Sequence, residues 1–80
     1  MWWIFKKEYE SESIVIYSYS RESQRLDGSI EYDKRTGDIS QFIECAEDKG
    51  SEWSKKKAIE KFVSCVAHED FPNRRKVVIG

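Results

Sequence analysis

Eighty residues weighing 9.5 kDa hold one domain, residues 1–80, with a thin core, since a chain of this size buries only about 60–65% of the surface its unfolded form exposes. Fourteen Lys and Arg against fifteen Asp and Glu leave a net charge of -1, which argues against a dedicated binder of nucleic acid or of an anionic membrane. With 39% hydrophobic and 14% aromatic residues in ordered patterns, the composition is that of a soluble globular chain rather than a disordered one.

The opening Met1-Trp2-Trp3-Ile4-Phe5-Lys6-Lys7-Glu8 is apolar first and charged soon after. A secretory signal has the reverse order and a longer apolar run. No stretch reaches the ~20 apolar residues of a membrane span. The expectation is a cytoplasmic protein with no membrane partner. Cys45 and Cys65 are too few for a disulfide scaffold. With His68 they do not complete a four-ligand zinc site unless carboxylates or a second chain contribute. Both read as free thiols serving as small apolar residues, and no metal or cofactor is expected.

In chain order, residues 2–9 carry the aromatic residues that suit a pleated surface. Glu10-Ser11-Glu12-Ser13 breaks that pattern, and 14–19 (Ile-Val-Ile-Tyr-Ser-Tyr) forms the clearest strand. A polar loop from Ser20 to Asp27-Gly28 follows. Ile30-Glu31-Tyr32, the turn Asp33-Lys34-Arg35-Thr36-Gly37 and Asp38 to Ile43 read as a hairpin. There Asp33 bonds backbone amides ahead of it and Gly37 supplies positive φ. From Ser51 the period changes: Ile59, Phe62, Val63 and Val66 fall on one helical stripe, opposite Lys57, Lys61, Ser64 and His68. Ser51 is the expected N-cap, and Pro72 limits a helix placed at about 51–69. Arg74 to Ile79 closes as a strand. The order β-β-β-β-α-β implies an α+β fold of two layers: a mainly antiparallel sheet of about five strands with one amphipathic helix on one face.

Tyr17-Ser18-Tyr19, a short loop, Asp27-Gly28-Ser29-Ile30-Glu31-Tyr32-Asp33 and then Thr36-Gly37-Asp38-Ile39 together resemble a group of small uncharacterised bacterial α+β domains. The resemblance covers about half the chain. It implies the fold just described and brings no activity or site residue with it.

One helix covers one face of such a sheet, and the other face meets water or a partner. Alternation places Ile14 and Ile16 on one side and Val15, Tyr17 and Tyr19 on the other, and turns Phe42 away from Ile43. Taking Ile14, Ile16, Ile30, Tyr32 and Ile43 as the covered set, joined by Trp3 and Phe5, leaves Trp2, Tyr17, Tyr19 and Phe42 as an exposed aromatic patch. Glu31, Ser40 and Glu44 lie among them. Large exposed apolar patches mark interfaces, and aromatic residues dominate binding energy. The expected function is therefore a non-catalytic protein-interaction module. It pairs with itself as a homodimer, or with another protein, through the outer sheet face or an edge strand.

Two alternatives come from other residues. Lys6, Lys7, Arg74, Arg75 and Lys76 beside the tryptophans suggest a basic, aromatic surface for single-stranded nucleic acid. Against it, acidic residues are interspersed along every segment, the RNA-recognition signature is absent, and one helix makes no helix-turn-helix. A thiol-dependent activity would need a base beside a cysteine. Cys65 has His68 three residues on, but nothing in the sequence orients that histidine. Lys55-Lys56-Lys57 spread around the start of the helix as a solvated face, and the scattered glycines build no phosphate-cradling loop. No catalytic constellation is read.

Overall fold

The computed structural model describes residues 1–79. Five strands, β1 (Trp2–Glu10), β2 (Ile14–Arg21), β3 (Gly28–Asp33), β4 (Asp38–Ile43) and β5 (Arg74–Val78), form one antiparallel sheet in the order β4-β3-β2-β1-β5. The helix α1 (Glu52–Phe62) packs on one face, giving the two-layer α+β architecture. The last strand lies at an edge beside β1, with Trp2 opposite Val78 and Lys6 opposite Arg74. Met1 and Ile79 extend this ladder by exchanging backbone bonds of 3.0 and 2.9 Å.

The turns follow from their side chains. Ser11 accepts the amides of Ser13 (3.3 Å) and Ile14 (3.2 Å) through its hydroxyl, closing the β1–β2 connection. In the β3–β4 hairpin Asp33 Oδ1 accepts the amides of Arg35 (2.8 Å) and Thr36 (3.3 Å). Gly37 takes a φ of 77° that suits glycine. The expected hairpin chemistry is present throughout.

Ser51 caps α1 as expected, its hydroxyl accepting the Ser54 amide at 3.3 Å. The regular helix ends at Phe62 and continues as a π turn, Val63–Ala67, in which the His68 amide donates to the Val63 carbonyl at 3.1 Å. The buried stripe is Ser54, Ala58, Phe62 and Val66, while Ile59 and Val63 are only half-buried. Residues spaced by four drift around a helix of 3.6 residues per turn. The wider π turn takes up part of that drift and keeps Val66 over the sheet.

On β2 and at the end of β4 the sheet turns the opposite side to the helix from the expected one, whereas Trp3, Phe5, Ile30 and Tyr32 take the expected side. Trp3 and Phe5 of β1, Val15, Tyr17 and Tyr19 of β2, Ile30 of β3 and Val77 of β5 form the core with Ala58, Phe62 and Val66. Tyr17 and Tyr19 are 0% exposed. Ile14, Ile16 and Ile43 point the other way. A bulge in β4 sets Ile39 opposite Tyr32 and Gln41 opposite Glu31 with Ser40 between. It puts both Ile39 and Phe42 against the core and leaves Ile43 51% exposed. Rings win the inner face because each buries more apolar area than an isoleucine. Phe62 meets Phe5, Tyr17 and Tyr32 with ring centroids 5.7, 5.3 and 5.9 Å apart.

Gly28 lies opposite Tyr19 on β3, and the tyrosine ring lies over it. A Cβ there would stand 2.3 Å from Tyr19 Cε1 and 2.9 Å from the Cys45 amide nitrogen. Gly28→Ala is expected to lower unfolding stability by about 1–3 kcal/mol, the usual cost of overpacking. A denaturant midpoint equal to wild type would mean that the Tyr19 ring does not lie flat on this strand.

Candidate interaction surface

Burying two tyrosines obliges the chain to find partners for their hydroxyls. Tyr17 donates to the Pro72 carbonyl. Tyr19 donates to Asp48 Oδ2 at 3.2 Å and accepts the Cys45 amide at 3.0 Å. Asp48, in the 3-10 turn Ala46–Asp48, is 0% exposed. Its other oxygen accepts Arg21 Nε at 2.7 Å, and the same guanidinium donates to the Glu47 carbonyl. This pair staples the segment between β4 and α1 to the end of β2. Removing one partner of such a pair leaves a charge buried alone, the costly case. Burial raises the phenol pKa of both Tyr17 and Tyr19 and that of the Cys45 thiol.

Asp27, Cys45 and Glu47 each bring one potential ligand atom within 4.8 Å of the others. Carboxylates thus do gather at one cysteine. Positive charge stands against a cation there: Arg25 lies 3.7 Å from Glu47 Oε2, and Arg21 holds the neighbouring carbonyl. Asp27 also accepts the Ala46 amide at 3.3 Å. Cys65 approaches Ser64 Oγ at 3.5 Å, and no hydrogen bond joins it to the exposed His68 among the described residues.

The expected aromatic patch is therefore not a patch. Of Trp2, Tyr17, Tyr19 and Phe42, only Trp2 faces outward, with the Lys76 ammonium 4.6 Å from its ring centroid. Tyr17 and Tyr19 are sealed under the helix. Phe42 packs on Tyr19 at 5.6 Å with Lys55 on its far side at 5.9 Å. What the outer face does carry is Ile14 and Ile16 at its centre on β2, Tyr9 opposite Ile16 on β1, and Ile43 and Val78 on the two edge strands. Val78 is 65% exposed. Ser18, Ser29, Lys6 and Glu31 lie among them. Across one end of this face the β2–β3 connection is tied down. Ser20 donates to the Ser23 carbonyl at 2.6 Å and Arg74 to Gln24 Oε1 at 2.8 Å, and Ser20 and Ile4 are buried there.

Sequence reasoning missed Ile14, Ile16 and Ile43, although a signal existed. On β2 the isoleucines share their side with Ser18 and Ser20, and that more polar half is the outward one.

The basic residues expected to form one stripe divide between the two faces. Lys6, Arg74 and Lys76 are outward. Lys7 and Arg75 lie opposite core residues. Lys7 pairs with Glu10 at 2.5 Å, and Arg75 with Glu69 at 3.0 Å. Lys34 also reaches Glu10, at 2.5 Å, and these two lysines hold the Glu10 carboxyl below its usual pKa.

The fold defines a two-layer α+β protein with one sheet face that no helix covers, and among the described residues no helix is long and apolar enough to cross a membrane. Comparison with family models, curated proteins and solved structures finds no match to this chain.

The buried tyrosines make stability fall at alkaline pH. Their folded-state pKa lies above the unfolded value of about 10. The stabilisation is complete below that value and is lost as pH rises above it. In a spectrophotometric titration Tyr17 and Tyr19 are expected to ionise only as the chain unfolds; four tyrosines ionising together near pH 10 would contradict their burial. A thiol probe at neutral pH is expected to label Cys65 first and to reach Cys45 only at the rate of unfolding. Equal rates would show that Cys45 is open to solvent.

Proposed function

We propose that this chain is a non-catalytic protein-interaction module that associates with a second copy of itself through the outer sheet face or an edge strand. The observation that carries the reading is the outer face itself. It presents Ile14, Ile16, Tyr9, Ile43 and Val78, over which no strand or helix of the described residues packs. Both neighbouring edges, β4 and β5, also lack a further strand among the described residues, and unpaired edges template pairing with another chain. A small domain with a thin core gains stability by oligomerising. The patch is aliphatic at its centre and mixed with serine and charge, the anatomy of a modest, reversible interface.

The chain is expected to show a mass near twice 9.5 kDa by light scattering at micromolar concentration. Ile16→Lys, at the centre of the face, is expected to return it to the monomer with an unchanged circular dichroism spectrum. A dimer that survives this substitution is joined through an edge strand. A strictly monomeric mass up to high concentration overturns the proposal.

A further inference from the structure

The charges on the outer face are sorted by corner. At the end of β3 and the start of β4, Asp33 and Asp38 lie across from each other beside Ile14, and Glu31 follows two residues earlier on β3 beside Ile16. At the diagonally opposite corner, Lys6 lies across from Arg74, and Lys76 follows on β5 beside Ile4. Ile16 and Ser18 of β2, the middle strand, lie between the two groups. None of these six side chains forms an ion pair among the described residues. Glu31 accepts the Ser40 hydroxyl at 2.8 Å, Arg74 donates to Gln24, and Lys76 rests on Trp2. Asp33 accepts the Arg35 and Thr36 amides, and no opposite charge among the described residues meets any of the six. Two other charged groups near them are already engaged. Glu8 accepts the Ser18 hydroxyl at 2.6 Å, and Lys34 pairs with Glu10.

A symmetric dimer uses the same patch twice, so a group on one copy meets its complement only if patch and complement exchange places under the two-fold rotation. The two corners do so about one kind of axis. We infer that two copies meet outer face to outer face about a two-fold axis that lies between the sheets, passes above Ile16 and Ser18 and runs perpendicular to the line joining the two corners, which lays the acidic corner of each copy on the basic corner of the other. An axis along the line joining the corners would instead stack acid on acid and base on base, which costs affinity. The isoleucines supply the buried centre, and the corners set the orientation. The inference rests on the self-association proposed above and adds its geometry.

The test uses the full chain in sedimentation equilibrium, at low and at high salt, with two double variants, Lys6→Glu/Lys76→Glu and Glu31→Lys/Asp38→Lys. Circular dichroism and thermal unfolding confirm that each remains folded. Wild type is expected to dimerise, with a dissociation constant that rises about tenfold as salt screens the corners. Each variant alone carries the same net sign of charge at both corners, Arg74 or Asp33 being left as the one opposite charge, and is expected to dimerise at least tenfold more weakly. An equimolar mixture of the two is expected to restore binding as a heterodimer, at least tenfold tighter than either variant alone, because the net charges again complement one another at both corners. A monomeric wild type overturns both this inference and the self-association beneath it. A wild-type dimer with both variants dimerising as tightly, or with a mixture that fails to restore binding, overturns the corner geometry alone.

Discussion

Two tyrosine rings on the middle strand decide the rest of this structure. Tyr17 and Tyr19 lie beneath the helix because each offers a large apolar ring to a core short of material, and because the chain provides a partner for each hydroxyl: the Pro72 carbonyl for one, Asp48 and the Cys45 amide for the other. A buried hydroxyl without a partner costs more than the ring gains at the margin, so the two conditions stand together. Once these rings face inward, the two-residue period of β2 sends Ile14, Ile16, Ser18 and Ser20 to the other side. The character of the outer face is a by-product of that choice.

The polar network that anchors Tyr19 also explains how a small domain holds its longest irregular segment. Between β4 and α1 the chain has only a short 3-10 turn, and Asp48 reaches from it to Arg21 and Tyr19 at once. A buried ion pair is weak evidence for net stability, but here it fixes where the helix begins relative to the sheet. The helix then needs only its stripe of Ser54, Ala58, Phe62 and Val66 to close the core. Serine and alanine permit close approach at the start of that stripe, and Phe62 fills the space among three sheet rings at its centre.

Much of this was legible in the sequence. Ser51 as a cap, Asp33 and Gly37 in the hairpin, and the switch to a helical period announce themselves by local chemistry, which acts within a few residues. The side of the sheet that the helix covers is marked only by Ser18 and Ser20, which share the isoleucines' side of β2. On β2 both sides are β-branched or aromatic over 14–17, so alternation separates two apolar sets without saying which is inner; the deciding facts, the partners of the tyrosine hydroxyls, lie 26 to 55 residues away. Phe42 and Ile43 exchanged roles for a different reason, since an extra residue in β4 reverses the alternation beyond it and leaves no mark in composition. Trp2, Trp3 and Phe5 took the expected sides. The basic residues 74–76 alternate as any strand does, and so were divided between faces by the same rule that built the sheet.

The pairing of β5 with β1 has a kinetic side. It joins the first strand to the last, so its contacts span nearly the whole described chain, and such closures are entropically the slowest to form. Until they form, β1 has one side unzipped and Trp3 lacks its neighbour Val77. The meander of β1 to β4 and the helix can assemble from nearer contacts, whereas the sheet reaches its full width only when residues 74–79 are available. Strand order thus favours a hairpin-built platform formed from near contacts, with the last strand closing its open border.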